Sequence, residues 1–238
     1  MKLPLVAVCT PTRNRGWSHS FSRACMSAQD YPSDRIHWIV LDNSDCPEDG
    51  WDNPTERIDG THTVAWMRNR CIELALETDC EYIVFWDDDD YYPPKRISSG
   101  VEALESDFTK SIAASSKMFL LLTKENVMMT TGPFHETHGT AATFTVRRTY
   151  AENHRFDPSK LKGEEVSFTK GWTASMIQVS PEDTIVVMGH SRNTVDKSDL
   201  LKRPQVYSAK IINDANGKQW MRSRWPVPWD QFRATFSV

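Results

Sequence analysis

Four consecutive aspartates, Asp87-Asp88-Asp89-Asp90, are the residues of this chain best placed to do chemistry. Carboxylates on adjacent residues repel one another, and a hard divalent cation relieves that repulsion. Mg2+ or Mn2+ held by one or two carboxylates keeps its other positions for water and for substrate phosphates. An isolated acidic run is ordinarily a solvated turn. This one follows the apolar run Tyr82-Ile83-Val84-Phe85-Trp86 and precedes Tyr91-Tyr92-Pro93-Pro94, so anchored flanks hold it. It therefore reads as a site for a metal and a diphosphate. Acidic clusters also serve two-metal phosphoryl or nucleotidyl transfer. The chain has no GxxxxGK[ST] phosphate loop, which lowers that reading.

Such a loop needs a scaffold, and the first third of the chain supplies one. Leu5 to Cys9, His37 to Leu41 and Tyr82 to Trp86 are short apolar runs of buried-strand type. Helical spacing falls between them, over 18–28 (Phe21, Ala24, Cys25, Ala28) and 62–77 (Met67, Cys71, Leu74, Ala75). Strands alternating with helices predict βαβ units and a parallel sheet covered on both faces. Ligands sit beyond the carboxyl ends of such strands. The loops leaving those ends are Thr10–Arg15, Asp42–Asp45 and Asp87–Asp90, all polar and two acidic. The middle is less regular. A helix is expected over 94–106, paired strands over 111–131, a strand from Gly139 to Arg148, and a loop from Arg155 to Lys160. A short helix should follow from Glu164 to Trp172, then a last buried strand from Ile185 to Met188.

Five segments in order resemble family 2-like glycosyltransferases: Val6–Arg15 (VAVCTPTRNR), Ala28–Pro32 (AQDYP), Trp38–Asp45 (WIVLDNSD), Arg68-Asn69 and Tyr82–Pro93 (YIVFWDDDDYYP). The resemblance is clear over roughly 4–100, weaker over 139–195 and absent after about 204. It implies the GT-A fold, a Rossmann-like three-layer α/β/α sandwich with a mostly parallel central sheet. It also implies a catalytic domain over 1–203, with a nucleotide-binding half at 1–100 and an acceptor half at 101–203. Carried over by position, Thr10, Pro11 and Arg13 would border the base and ribose, and Asp42 would accept a hydrogen bond from the base. Arg68 would lie near the base or diphosphate. Asp87 and Asp88 would approach the ribose, and Asp89 would bind the metal; because all four residues are Asp, a shift of one would give it to Asp90. Gly163-Glu164-Glu165-Val166-Ser167-Phe168 resembles the family's Glu-Asp motif, with Glu165 as catalytic base and Glu164 orienting the acceptor. Here the second acid is Glu, one methylene longer than Asp. In Gly189-His190-Ser191-Arg192-Asn193-Thr194, His190 would complete the metal shell. His135–His138 and Gly139–Thr143 would shape the sugar and acceptor pocket.

The implied reaction is inverting transfer of a sugar from a nucleotide-sugar donor, UDP by default, to an acceptor hydroxyl, with Mn2+ or Mg2+. Composition limits the surroundings. The 238 residues carry 28 Lys+Arg against 32 Asp+Glu, a net charge of −4 that does not announce a nucleic-acid binder. No stretch reaches the roughly 18–20 apolar residues of a transmembrane helix, and Leu3–Cys9 is too short an apolar run for a secretory signal. Five cysteines without a CxxC pair read as reduced thiols, so a cytoplasmic location is expected, the host's cytoplasm if the protein is viral. Residues 189–238 hold nine Lys/Arg against four Asp, while Trp220, Trp225 and Trp229 crowd ten positions. A basic aromatic tail over 204–238 would pack on the body or on the acceptor. Its interleaved cations and rings suit nucleobases, so the hydroxymethylated bases of viral DNA stand as an alternative to a saccharide or other small hydroxyl acceptor. A sugar-nucleotide-binding module without catalysis is a further alternative.

Overall fold

The first apolar run becomes the centre of a sheet. The amino-terminal part forms β1 (Val6–Thr12), α1 (His19–Ser27), β2 (Ile36–Asp42), β3 (Glu56–Arg57), α2 (Val64–Leu76) and β4 (Tyr82–Phe85). Strand β1 pairs in parallel with β2 on one edge (Val6 opposite Ile36, Thr12 opposite Asp42) and with β4 on the other (Val6 opposite Tyr82, Cys9 opposite Phe85). With partners on both edges and helices on both faces, neither side chain parity meets water, so the strand is apolar at every position from Val6 to Cys9. Val6, Val8 and Val84 join one core with Phe21 and Cys25 of α1, whereas Ala7, Cys9, Ile83 and Phe85 join the other with Met67, Cys71 and Ala75 of α2. That division is the two-residue alternation of a strand. Thr63 caps α2, its hydroxyl accepting the Trp66 N–H at 3.2 Å.

The computed structural model describes residues 2–193, 197, 199–214 and 216–236. Thr194, in the expected His190 motif, and Ala215, Ser237 and Val238, in the expected tail, lie outside the described residues. The chain continues through α3 (Arg96–Ser106), β5 (Ile112–Ala114), β6 (Met118–Leu122), β7 (Val127–Thr131), β8 (Thr145–Arg147), α4 (Arg148–Ala151), α5 (Glu165–Phe168), β9 (Met176–Gln178) and β10 (Val186–Gly189). It closes with α6 (Asp199–Lys202), β11 (Lys210–Asn213), α7 (Gly217–Arg224) and α8 (Trp229–Phe236). The main sheet has the order β3-β2-β1-β4-β8-β5-β9, parallel except at β8, which is antiparallel to β4 and β5. Helices α1 and α3 cover one face, α2 the other: a three-layer α/β/α sandwich with a mostly parallel sheet.

Several expectations change. The run Gly139–Arg148 is a strand only at Thr145–Arg147, because Ala141–Thr143 makes a 3-10 turn and Arg96 takes its carbonyls. That guanidinium, 1 % exposed, donates to the carbonyls of Phe85 (3.1 Å), Ala142 (3.3 Å) and Phe144 (2.9 Å) and to the Thr145 hydroxyl (3.0 Å). The helix expected to reach Trp172 ends at Phe168; Lys170, Gly171 and Trp172 then turn through left-handed backbone. The strand β10 is the last buried strand, and an exposed one, β11, follows it. A second sheet, β10-β6-β7-β11, ends on a strand drawn from the basic segment. After it, Met221, Trp225, Val227, Phe232 and Phe236 are buried in the same core as α1 and α3. The segment after Pro204 thus packs on the body.

Candidate active site

Parallel registry brings the functional loops to one edge. The Trp86 N–H donates to the Cys9 carbonyl at 3.0 Å, extending the β1–β4 pairing to the point where the aspartates begin. The loop after β1 is clamped to the loop after β2: Asn14 and Asp45 exchange hydrogen bonds of 2.7 and 2.8 Å, and Arg13 pairs with Asp45 at 2.8 Å. Asn14 adopts φ 53°, a left-handed conformation that asparagine tolerates. This turn sends Arg15 back over the acids.

The four carboxylates diverge. Asp87 accepts from Arg68 Nη2 at 2.9 Å. Asp88 accepts from the Thr12 hydroxyl at 2.5 Å and from Arg15 Nη1 at 2.7 Å. Asp89 Oδ2 lies 3.2 Å from His190 Nε2 and 2.7 Å from the same Arg15 nitrogen. Asp90 accepts the backbone N–H of Met188 at 2.7 Å and so fastens the loop to β10. The last three are at most 5 % exposed. Burial pushes the Asp88 carboxyl up to about 7 against the pull of Arg15, and the charge on Asp89 adds to the rise. For Asp89 burial acts in the same direction, but the His190 hydrogen bond and Arg15 outweigh it and hold the carboxyl below its ordinary value. Asp90 is raised well above the usual range, first by burial and then by Asp89 and Asp87. The imidazole is fixed from behind, its Nδ1 accepting the Arg192 N–H at 3.2 Å.

Opposite the acids stand Glu164 and Glu165. Glu164 is 9 % exposed and pairs with Arg68, which itself is 4 % exposed and bridges Glu164 to Asp87. Burial raises the Glu164 carboxyl, and Arg68 restrains the rise. For Arg68 burial opposes the cation, yet Asp87 and Glu164 more than compensate and raise it. Glu165, on the first turn of α5 and half-buried, accepts the Ala141 N–H at 3.2 Å. The two glutamates, the aspartates, Pro11, Arg13, Arg15 and Arg68 line a single cleft of about 830 Å³.

Three expected site residues do not line that cleft: Thr10, Asp42 and His190, the last of which meets it through Asp89. Thr10, fully buried, points into the helix-covered face, where its hydroxyl accepts the Trp38 indole N–H at 2.9 Å. Asp42 is also fully buried and is engaged by its own turn. It accepts from the Ser44 N–H (2.9 Å), the Trp51 N–H (3.1 Å) and Arg57 (3.2 Å). Conversely, Thr12, Arg15, Asn193 and Lys197 line the cleft unheralded. The TRNR run offers two arginines, and only the Asn14 turn decides that Arg15 meets the acids while Arg13 meets Asp45. His135 and His138 form an aromatic group with Trp172, the His138 and Trp172 ring centroids 4.5 Å apart. A second cavity of about 620 Å³ at the opposite end of β4 is lined by Tyr82, Glu105 and Arg147, which hydrogen-bond to one another.

No protein-family model matches the chain, and no curated protein matches it. Solved structures do. TarS residues 1–349 of S. aureus superposes with a TM-score of 0.59 at 14% identity, covering 78% of this chain and 60% of that one. The mannosyltransferase PcManGT of Pyrobaculum calidifontis, in complex with GDP-Man and Mn2+, gives 0.57 at 16% identity, covering 81% and 59%. TarS 1–349 with UDP-GlcNAc gives 0.58 at 14%, covering 86% and 65%. The chain spans about 60% of the length of the first two of these. The likeness shows the fold: it is GT-A-like, as the motif order implied. No helix among the described residues is long and apolar enough to cross a membrane.

Proposed function

We propose that the protein is a glycosyltransferase that moves a sugar from a nucleoside-diphosphate donor to an acceptor hydroxyl, with inversion and with the help of a divalent cation. One observation carries the reading: His190, 101 residues away in sequence, meets Asp89 at 3.2 Å, and Asp89 shares the lining of one cleft with Glu164 and Glu165.

The donor set suits the cation. Two ligands bound about 2.1 Å from one ion at roughly a right angle lie about 3 Å apart, close to the Asp89–His190 separation. Carboxylate plus imidazole suits Mn2+. Asp89 and His190 would hold the ion, which when bound neutralises charge on the departing diphosphate. Asp88, gripped by Thr12 and Arg15, buttresses Asp89 from behind. Asp87 is the most exposed of the four, its side chain at 30 %, and is the one within reach of the ribose. Pro11 and Arg13 border the nucleotide.

Glu165 is the general base. Glu164 is committed to Arg68, so it orients Arg68 and the acceptor wall and does not take up a proton. Glu165 accepts one backbone N–H and faces the cleft, where it can receive the acceptor's proton as oxygen attacks the anomeric carbon. Holding donor and acceptor together in this cleft supplies much of the acceleration. A saccharide or other small hydroxyl compound is the acceptor that fits, since the ring of Trp225 is packed into the core. All five cysteines are free, four of them buried, which fits the reducing cytoplasm.

The test is release of nucleoside diphosphate from a panel of nucleotide sugars with Mn2+, UDP-sugars first. Glu165→Gln should lower turnover by about 100-fold or more and leave donor affinity within a factor of about two. Wild-type turnover in that variant would remove Glu165 from the reaction. Pyrophosphate released from a nucleoside triphosphate, with no sugar transfer, would replace the reading with nucleotidyl transfer. Donor binding without turnover would leave a binding module.

A further inference from the structure

Arg15 occupies the position where the acidic loop would present itself to an ion. Its Nη1 sits 2.7 Å from Asp88 Oδ1 and 2.7 Å from Asp89 Oδ2, so one nitrogen spans both carboxylates. The Asp89 oxygen it touches is the same one that lies 3.2 Å from His190. The guanidinium is neither a surface residue nor a passing contact: its side chain is 19 % exposed, and the Asn14 turn aims it inward. A guanidinium is a permanent cation with a fixed fork of donors. While it stays there, the oxygen shared with His190 already has a positive partner, and a dication would enter against like charge.

We infer that Arg15 is an internal counter-cation that keeps the acidic loop closed to free divalent metal until a nucleoside diphosphate arrives. The inference rests on the cation reading above and adds a gate to it. The diphosphate is the one ligand that resolves the conflict, because its oxygens complete the shell of the ion and also offer the displaced guanidinium a bidentate anionic partner. Arg15 then moves from the carboxylates to the donor, and metal and donor enter together. Lys197 and Arg13 also line the cleft and bring further positive charge to it, which favours a metal that carries its own anion over a bare one. In the donor-free protein, apparent metal affinity is reduced by the small fraction of molecules in which Arg15 has left Asp89.

The experiment measures Mn2+ binding by electron paramagnetic resonance of the free ion, with no nucleotide added. It compares wild type, Arg15→Gln, Arg15→Ala and Arg15→Gln/Asp89→Asn. Arg15→Gln keeps a neutral hydrogen-bonding side chain near the acids and so guards against loss of fold, which circular dichroism checks. The expected result is weak binding by wild type, binding roughly tenfold tighter or more by the Arg15 variants, and loss of that gain in the double variant. Equal affinities in wild type and folded Arg15 variants would overturn the gate and leave the cation site standing. No measurable Mn2+ binding by any folded variant, even with UDP or GDP present, would overturn the cation reading and the gate with it. A gain that survives Asp89→Asn would also overturn the gate, since the metal would then be bound elsewhere.

Discussion

Replacing Trp225 by alanine separates two roles for the C-terminal segment. The indole is 8 % exposed and has ring neighbours at Phe119 (5.4 Å), Trp220 (5.8 Å) and Tyr91 (6.2 Å). Its N–H donates to the Glu182 carbonyl at 2.9 Å. A buried aromatic side chain removes roughly 200 Å² from water, worth about 5 kcal/mol at about 25 cal/mol per Å² as an upper bound. Truncations of this kind cost about 3–5 kcal/mol. The Glu182 carbonyl belongs to an exposed residue and regains water, so its lost partner adds little. The expected loss is therefore about 4 kcal/mol. At about 2–4 °C per kcal/mol for a domain of this length, the midpoint should fall by about 8–16 °C. Urea unfolding followed by tryptophan fluorescence measures the free energy, and thermal unfolding followed by circular dichroism measures the midpoint. A ring that reads nucleobases instead would cost about 1–3 kcal/mol of binding to single-stranded DNA on truncation and leave stability within about 0.5 kcal/mol. A folded Trp225→Ala protein of unchanged stability would refute the core assignment.

Arg68→Met should be nearly as severe, because it strands two carboxylates, Asp87 and Glu164, that the guanidinium now bridges; a loss of about 3–5 kcal/mol is expected. Adding Glu164→Gln should return part of it, and additive effects in that double-mutant cycle would contradict the bridge. Asp88 predicts a pH effect in cation-free buffer. Its folded carboxyl titrates at about 7 against an ordinary 3.8, so the native state holds the proton longer than the unfolded chain. The stability this contributes is complete below the ordinary value and is lost as pH rises through about 7. Asp88→Asn removes that slope, so its stability relative to wild type should climb between about pH 4 and 7; parallel profiles would exclude the shift.

The parts legible in the sequence are those where side chain type and backbone role coincide. Val6–Cys9 and Tyr82–Phe85 have no polar parity because both faces are covered, and the acids directly after β4 could only be at a strand end. The position of His190 directly after a buried strand, Val186–Gly189, is legible for the same reason. What stayed hidden depends on contacts between distant segments. Asp42 looks like a ligand at the end of a strand, but Ser44, Trp51 and Arg57 close around it. Gly139–Arg148 has strand composition, yet a buried arginine from α3 captures its carbonyls. The strand β11, Lys210-Ile211-Ile212-Asn213, is too short and too exposed to show a period; it exists because β7 offers it an edge. Spacing carries no information about which tail ring faces inward: Trp225 is buried, whereas Trp220 and Trp229 are only partly so.

The attachment of Asp90 to Met188 sets the order in which the molecule can be assembled. The first four strands are joined by short connections, whereas the Asp90–Met188 bond spans 98 residues and the adjoining Tyr91–Val186 bridge 95. Closing loops of that length is entropically slow compared with forming the β1–β4 unit. The acidic loop is therefore synthesised and framed early and meets His190 only once β10 has docked. On the proposed reading of Asp89 and His190 as the cation's ligands, Mn2+ binding during refolding should appear only when β10 has docked beside the acidic loop.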